Sequence, residues 1–186
     1  MPLPITVPER EFYDDRTGRF ISTKKTVLKF EHSLLSITAW ESKWKKPYLS
    51  KEEKTNEQAI DYLRCMCLTK DVDPKIFRVI AMDRKLMKQI ADYINDSMTA
   101  TTIRRRERQT QSREQITNEL VYFWMTSFGI PFDPCEKWHF NRLMTLIEIA
   151  SIKNSDQKKQ KTPRGQLARE RSALNAQRRA AHHSKG

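Results

Sequence analysis

Short segments rich in β-branched and aromatic residues recur through the first thirty residues, with polar stretches between them. This composition is typical of β-strands. We therefore predict four short strands, at residues 5–7, 11–13, 20–22 and 27–30. Gly18 can supply a positive φ, so the preceding polar residues are predicted to form a hairpin turn. Because an isolated hairpin is marginal in water, these strands are expected to pack on the later part of the chain.

Beyond the strands, apolar residues recur at intervals of three and four, which is the period of an α-helix. Trp40 and Trp44 carry this period in the first helix, and Pro47 is predicted to end it. The second helix has two alternative starts, because residues 50–53 and residues 55–58 both form capping boxes. Its predicted buried stripe consists of Ala59, Ile60, Leu63, Met66 and Cys67.

Two aspartates mark the next helix starts. Asp73 followed by Pro74 is the pattern of an N-cap with proline at the first helical position, and it predicts a short helix through Phe77 and Ile80. Asp83 is predicted to cap a further helix. The apolar face of that helix consists of Leu86, Met87, Ile90, Tyr93 and Ile94. The polar stretch after it, residues 95–102, is predicted to be a loop or a short strand.

Three helices are predicted in the C-terminal part of the chain. A capping box at residues 112–115 opens the first, and Gly129 stands where a left-handed C-cap is expected. The apolar positions of this helix are Ile116, Leu120, Phe123 and Trp124. Asp133 and Pro134 start the second, which is expected to bury Trp138, Leu143, Met144, Ile147 and Ile149. Residues 162–163 open the third, from roughly residue 164 to residue 181.

Together these elements predict a mainly α fold with a small N-terminal antiparallel β element. We expect a bundle-like helical body and a protruding basic C-terminal helix. The predicted boundaries are residues 1–32 for the β-hairpin region, 33–154 for the helical body and 155–186 for the basic arm.

The arm is much more basic than the body. The formal net charge of the 186 residues is +12, and residues 153–186 contribute +8, from ten Lys or Arg against Asp156 and Glu170. Such an arm attracts polyanions: nucleic acid, anionic lipid or an acidic protein surface. Three cysteines form no disulfide framework, and no apolar run reaches the roughly 18 residues of a membrane span. We therefore expect a reducing, cytoplasmic setting and no membrane association.

Neither a metal site nor a catalytic site is predicted. Cys135 and His139, four residues apart on a predicted helix, share a face, but a zinc site needs about four ligands. Cys65 and Cys67 have the wrong spacing for a zinc knuckle, so buried thiols are the preferred interpretation. No nucleophile elbow or phosphate-binding glycine loop is present. We expect a protein without cofactor that is not an enzyme.

Arginines are the candidate contacts to a partner. A guanidinium grips phosphate or carboxylate groups through two parallel hydrogen bonds. The candidates are Arg142, the arm residues Arg164, Arg169, Arg171, Arg178 and Arg179, and the basic run Arg104, Arg105 and Arg106. For the basic run a solvated loop is the preferred alternative. Trp40 and Trp44 are predicted to face the core with lysines around them, although an exposed pair would be an interaction hot spot.

Four blocks of sequence resemble tail assembly chaperones of tailed bacteriophages. They are residues 31–36 running into 40–44, residues 98–101, residues 130–132 with 137–143, and residues 173–179. Their order and spacing carry the resemblance, which extends over most of the chain from about residue 26. The motif positions within them include Trp40, Trp44, Trp138, Asn141 and Leu143.

The resemblance implies a non-enzymatic protein of virion morphogenesis that acts in the host cytoplasm. Its expected partners are phage tail proteins, above all the long helical tape-measure protein of a siphovirus-type tail. Two alternatives stay open. One is a minor structural protein of the virion, in the tail or connector; the other is a nucleic-acid-binding protein that uses the basic tail.

Overall fold

The computed structural model describes residues 1–14, 18–103, 115–160 and 164–181. In this part of the chain the strands are β1 (Leu3–Val7), β2 (Arg10–Asp14), β3 (Arg19–Thr23) and β4 (Thr26–Phe30). The helices are α1 (Leu34–Trp44), α2 (Asn56–Met66), α3 (Pro74–Met82), α4 (Arg84–Asn95), α5 (Asn118–Ser127), α6 (Phe132–Cys135), α7 (Phe140–Gln160) and α8 (Arg164–Ala181). The predicted mainly α fold with a small N-terminal antiparallel β element is confirmed.

The internal contacts divide the chain into two compact units, Met1–Ile147 and Glu148–Gly186. All four strands and helices α1 to α6 belong to the first unit, and α8 belongs to the second.

The strands form two antiparallel pairs, β1 with β4 and β2 with β3. In the first pair Ile5 lies opposite Leu28, and these two residues are buried. Val7 and Phe30, each two residues further along its strand, are fully buried as well, because alternate residues of a strand face the same side. The sheet therefore contributes one apolar face to the core. Gly18 has the expected positive φ of 63°, while turn residues 15–17 lie outside the described residues.

Capping side chains set the bounds of the first two helices. Ser33 caps α1, which ends at Trp44, three residues before Pro47, because Lys45 adopts a left-handed conformation. Of the two alternative starts for α2, the second is confirmed: Thr55 and Gln58 form a reciprocal capping box. Of the predicted stripe of α2, Leu63 and Met66 are buried and Ala59, Ile60 and Cys67 are half-buried.

The predicted starts of α3 and α4 are confirmed. The side chain of Asp73 accepts a hydrogen bond from the backbone N–H of Lys75, and Asp83 accepts from two N–H groups at the start of α4. On the apolar faces of these helices the buried residues are Phe77, Val79, Ile80, Leu86, Ile90 and Tyr93.

The predicted start of α5 was wrong, and its predicted apolar face was partly wrong: Ile116 and Trp124 are half-buried against the core, but Phe123 is not. The helix begins at Asn118 with Thr117 as its N-cap, and residues 112–114 of the predicted capping box lie outside the described residues. Val121 and Met125 are fully buried, whereas 64% of Phe123 is exposed. Gly129 follows the helix with a φ of 66°, as predicted.

The helix predicted to run on from Asp133 is interrupted. The single turn α6 ends at Cys135, and α7 begins only at Phe140. Cys135 and His139 therefore do not share a helical face. In α7 Leu143 and Ile147 are buried and Met144 and Ile149 are half-buried. Helix α8 has the predicted bounds, while residues 162–163 lie outside the described part.

Candidate functional site

The interruption between α6 and α7 pairs with the segment that joins β4 to α1. The backbone N–H of Phe140 donates to the carbonyl of His32 at 2.7 Å, and that of Leu35 donates to the carbonyl of Glu136 at 3.4 Å. Ser33 and His139 form an isolated antiparallel bridge. Backbone groups that a continuous helix would have paired internally are thus used to join two distant parts of the chain.

A cluster of buried polar side chains surrounds this junction. The Tyr62 hydroxyl lies 2.5 Å from Nδ1 of His32, and the Tyr93 hydroxyl donates to Oε1 of Glu31 at 2.5 Å. Nε2 of His139 donates to the Tyr93 carbonyl at 2.9 Å, and Nδ1 of His139 accepts the backbone N–H of Asn141 at 3.3 Å. These partners assign the proton of His139 to Nε2, because a carbonyl can only accept.

Burial keeps the two imidazoles uncharged near neutral pH. Burial, with a smaller contribution from His139, lowers the pKa of His32 to about 3. Burial also lowers the pKa of His139. The pKa of Tyr93 is raised by burial first and then by its hydrogen bond to Glu31. Each of these groups has a hydrogen-bond partner inside the protein, so the cluster joins the β4–α1 connection, α2, α4 and the α6–α7 connection.

An open groove with a volume of about 450 Å³ lies beside the cluster, and we call it the Trp138 groove. Its apolar lining residues are Met1, Pro2, Leu35, Leu68, Met98 and Trp138. Its polar lining residues are Glu31, Ser33, Ser36, Cys65, Lys137, His139 and Arg142. The apolar residues come from separate parts of the chain, which the junction and the β1–β4 pair bring together.

Arg142 and Lys137 form the cationic side of the Trp138 groove, and they differ in whether a carboxylate pairs with them. The Arg142 guanidinium lies over the Trp138 ring, 4.3 Å from its centroid. Within the described residues no carboxylate lies within salt-bridge distance of Arg142. Lys137, in contrast, pairs with Asp133 at 2.5 Å. A stacked guanidinium keeps its N–H edge free to bind a planar anion.

A second groove, of about 370 Å³, lies between α2, α3 and α4. We call it the α2–α4 groove. Its lining residues are Asn56, Glu57, Ala59, Ile60, Leu63, Arg78, Ala81, Met82 and Met87.

Of the predicted partner-binding arginines, Arg142 is the one that lines the Trp138 groove in the described part of the chain. On α8 the exposed candidates are Arg169, Arg171 and Arg178. Helix α8 also contains Arg164 and Arg179, but their side chains are outside what the structure describes. The basic run Arg104, Arg105 and Arg106 lies outside the described residues altogether.

The motif residues of the family resemblance stabilise the fold. Trp40 is 1% exposed, in agreement with the prediction that it faces the core, and its Nε1 donates to the Gln58 carbonyl at 2.9 Å. Trp44 is half-buried and donates to Asp61 at 2.9 Å. Leu143 is fully buried. The Asn141 amide donates to the carbonyls of Ile94 and Asp96, at 2.8 and 2.7 Å, and so holds the end of α4.

No group of three or more His, Cys, Asp or Glu side chains is arranged to hold a metal ion within residues 1–14, 18–103, 115–160 and 164–181. Burial raises the pKa of Cys65 to about 11 and also raises the pKa of Cys67 and Cys135. These thiols are therefore protonated near neutral pH. Among the described helices, none has the length and apolarity needed to cross a bilayer.

Comparison with protein-family models, with curated proteins and with solved structures gives no match for this chain.

The sequence did not predict the walls of the Trp138 groove. One signal was available: adjacent leucines in a helix point about 100° apart, so Leu34 and Leu35 cannot both face the core. Leu34 is fully buried and Leu35 is 40% exposed. For Leu68 and Met98, which lie outside the helices, no periodic signal exists.

Proposed function

We propose that this protein is a non-enzymatic binding protein that acts as a phage tail assembly chaperone. Its client is the tape-measure protein, which it holds in the host cytoplasm during tail morphogenesis. The observation that carries the proposal is the Trp138 groove, an open groove with an apolar lining and a cationic side. The resemblance of the motif blocks to the chaperone family supports the choice of client.

The chemistry of the Trp138 groove suits a helical client. An amphipathic helix binds by placing its apolar face in a hydrophobic groove. Met98 adds a flexible side chain that adapts to different apolar surfaces, and Trp138 adds a large rigid one. A chaperone that must accept successive segments of a long client needs this combination of adaptable and rigid contacts.

The buried titratable groups support binding rather than catalysis. His32 and His139 are buried and bonded to protein partners, so their hydrogen-bonding capacity is used to connect elements of the fold. A general acid or base must instead come within hydrogen-bond reach of a substrate proton. We therefore assign the cluster to the stability of the groove.

Co-expression with a tape-measure protein from the same genome tests the proposal. We expect the tape-measure protein to become soluble and to co-purify with this chain in a stable complex. The matched control is expression of the tape-measure protein alone. If its solubility is the same in both cultures and no complex is recovered, the proposal is wrong. Mass spectrometry of purified particles then separates a chaperone, which is absent from the virion, from a structural protein.

A second candidate function rests on α8. Its arginines Arg169, Arg171 and Arg178 are exposed, as are the residues between them. An exposed cationic helix binds nucleic acid by releasing counterions, so affinity falls as salt rises. If α8 binds nucleic acid, replacing these three arginines by glutamine should lower the slope of log affinity against log salt by about three. An unchanged slope would contradict this function.

A further inference from the structure

We infer that the Trp138 groove recognises an acidic amphipathic helix, binding an aliphatic side chain against Trp138 and a carboxylate on the edge of Arg142. The inference rests on the proposed function only for the identity of the client. The recognition chemistry is argued from the groove itself.

We infer a carboxylate on the ligand from the charged residues that line the groove. Arg142 is stacked on Trp138 and has no acidic partner among the described residues. Lys137 pairs with the exposed Asp133, and Glu31 accepts the Tyr93 hydroxyl. Arg142 is therefore the charge left for a ligand. Its planar guanidinium matches a carboxylate through two parallel hydrogen bonds, and stacking on an aromatic ring fixes its orientation.

We infer the apolar part of the ligand from the apolar lining of the same groove. Leu35 and Leu68 are 40% and 54% exposed, and Met98 and Trp138 are half-buried beside them. The volume of about 450 Å³ falls in the range of pockets that bury most of a ligand's surface. Exposed leucines in a concave surface favour an aliphatic anchor, because both surfaces lose water on contact.

The combination of Trp138 and Arg142 favours a peptide. Tryptophan and arginine are the residues that most often dominate the affinity of protein–protein interfaces. A helical segment presents an anchor and a carboxylate on one face when they are three or four residues apart. A nucleic-acid strand, in contrast, would place phosphates near Arg142 without an aliphatic group for Leu35 and Leu68.

Three synthetic peptides test this recognition. Each is an 18-residue helix with the same leucine stripe, and the residue one turn from the central leucine is Glu, Gln or Lys. We expect the Glu peptide to bind about tenfold more tightly than the Gln peptide, as for other charge pairs at interfaces. The Lys peptide should bind weakest. Titration calorimetry with the full chain gives the three affinities.

Variants of the protein locate the effect. Arg142→Gln should remove the preference for Glu over Gln, and Arg142→Glu should make the Lys peptide bind more tightly than the Glu peptide. Arg84→Gln is the matched control, since Arg84 is exposed at the start of α4 and does not line the groove. Trp138→Phe should weaken all three peptides together. Circular dichroism confirms that each variant is folded.

Three results would overturn the inference. One is equal affinity for the Glu and Gln peptides; another is an unchanged preference in Arg142→Gln. The third is displacement of the Glu peptide by a single-stranded oligonucleotide that itself requires Arg142, since this would assign the groove to nucleic acid.

Failure of the inference and failure of the proposed function can be told apart. If the tape-measure complex forms but is unaffected by Arg142→Gln and Trp138→Phe, the inference is wrong and the chaperone function stands. If the peptides behave as expected but the tape-measure protein is not bound, the function is wrong and the recognition chemistry stands.

Discussion

The two compact units differ in side-chain burial: the first buries even charged residues, and the second leaves even large apolar residues exposed. In Met1–Ile147 even charged side chains are buried: Glu41 is 7% exposed, and its carboxylate accepts the backbone N–H of Tyr48 at 2.7 Å and that of Asn118 at 2.8 Å. In the described part of Glu148–Gly186 no side chain is buried, and Leu174 is 51% exposed.

The difference shows two ways of specifying structure. The first unit depends on contacts between residues far apart in sequence, so a change at one buried position affects the whole unit. Helix α8 depends on local preference, because it is rich in alanine, arginine and glutamine, which favour helix in the absence of packing. The same substitution should therefore have different consequences in the two units.

Truncation of a leucine should give the largest difference between the units in the free energy of unfolding. Leu143→Ala leaves a cavity at a fully buried position and should lower the free energy of unfolding by about 3 kcal/mol. Leu174→Ala should change it by less than about 0.5 kcal/mol, as surface substitutions do. Urea unfolding followed by circular dichroism measures both. Equal effects would mean that Leu174 is packed.

Neutralising a carboxylate should give the next largest difference. Glu41→Gln replaces one of two accepting oxygens by an NH₂ group, so one buried backbone N–H loses its partner. We expect a loss of about 2 kcal/mol. Glu170→Gln is the matched change at an exposed position of α8 and should have no measurable effect. If Glu41→Gln were neutral in thermal and urea unfolding, the capping role of Glu41 would be wrong.

Acidification should weaken the first unit through its buried histidines. The folded pKa of His32 is about 3, below the unfolded value of 6.5, so the unfolded chain binds the proton first. Stability is therefore complete above pH 6.5 and is lost as pH falls towards 3. Between pH 7 and pH 5.5 His32 alone should cost about 1 kcal/mol.

The control for this pH dependence is His32→Gln. Its absolute stability differs from that of the parent protein, so the change between the two pH values is the quantity to compare. A smaller change in the variant is expected, with His139 accounting for part of what remains because burial also lowers its pKa. An identical change in both proteins would exclude His32 as a source.

Glycine at an exposed helical position should give an effect no larger than that of His32. Replacing alanine by glycine costs about 1 kcal/mol of helix stability. Ala39→Gly lies in α1 and should lower the unfolding free energy of the first unit by this amount. Ala173→Gly should reduce only the helicity of α8, seen as lost ellipticity at an unchanged melting temperature. A lower melting temperature in the Ala173 variant would show that α8 supports the first unit.

Local signals in the sequence predicted the fold class and most helix starts. Thr55, Asp73 and Asp83 cap their helices through bonds to residues two or three positions away, and Gly129 needs only its own backbone freedom. Such interactions are contained in a few consecutive residues. For this reason they can be recognised without knowledge of the tertiary structure.

The missed features depend on residues that are distant in the chain. Asp133 and Pro134 carry a local helix-start signal, yet the helix stops after one turn, and His139 pairs with the distant Ser33. Likewise, no spacing could reveal that His32 contacts Tyr62. The Trp138 groove is also built from distant segments, so the sequence supplied Arg142 as a candidate but not the surface around it.

The Glu41 carboxylate has a consequence for protein synthesis. Its contact with Asn118 spans 77 residues, so at translation rates of about 5–20 residues per second the partner follows about 4–15 s later. By the end of this interval the ribosome-bound chain contains α1 to α4. The carboxylate meanwhile has no α5 to cap, and the core facing Val121 and Met125 is open. The first unit can therefore close only late in translation, and until then the nascent chain itself exposes an apolar surface.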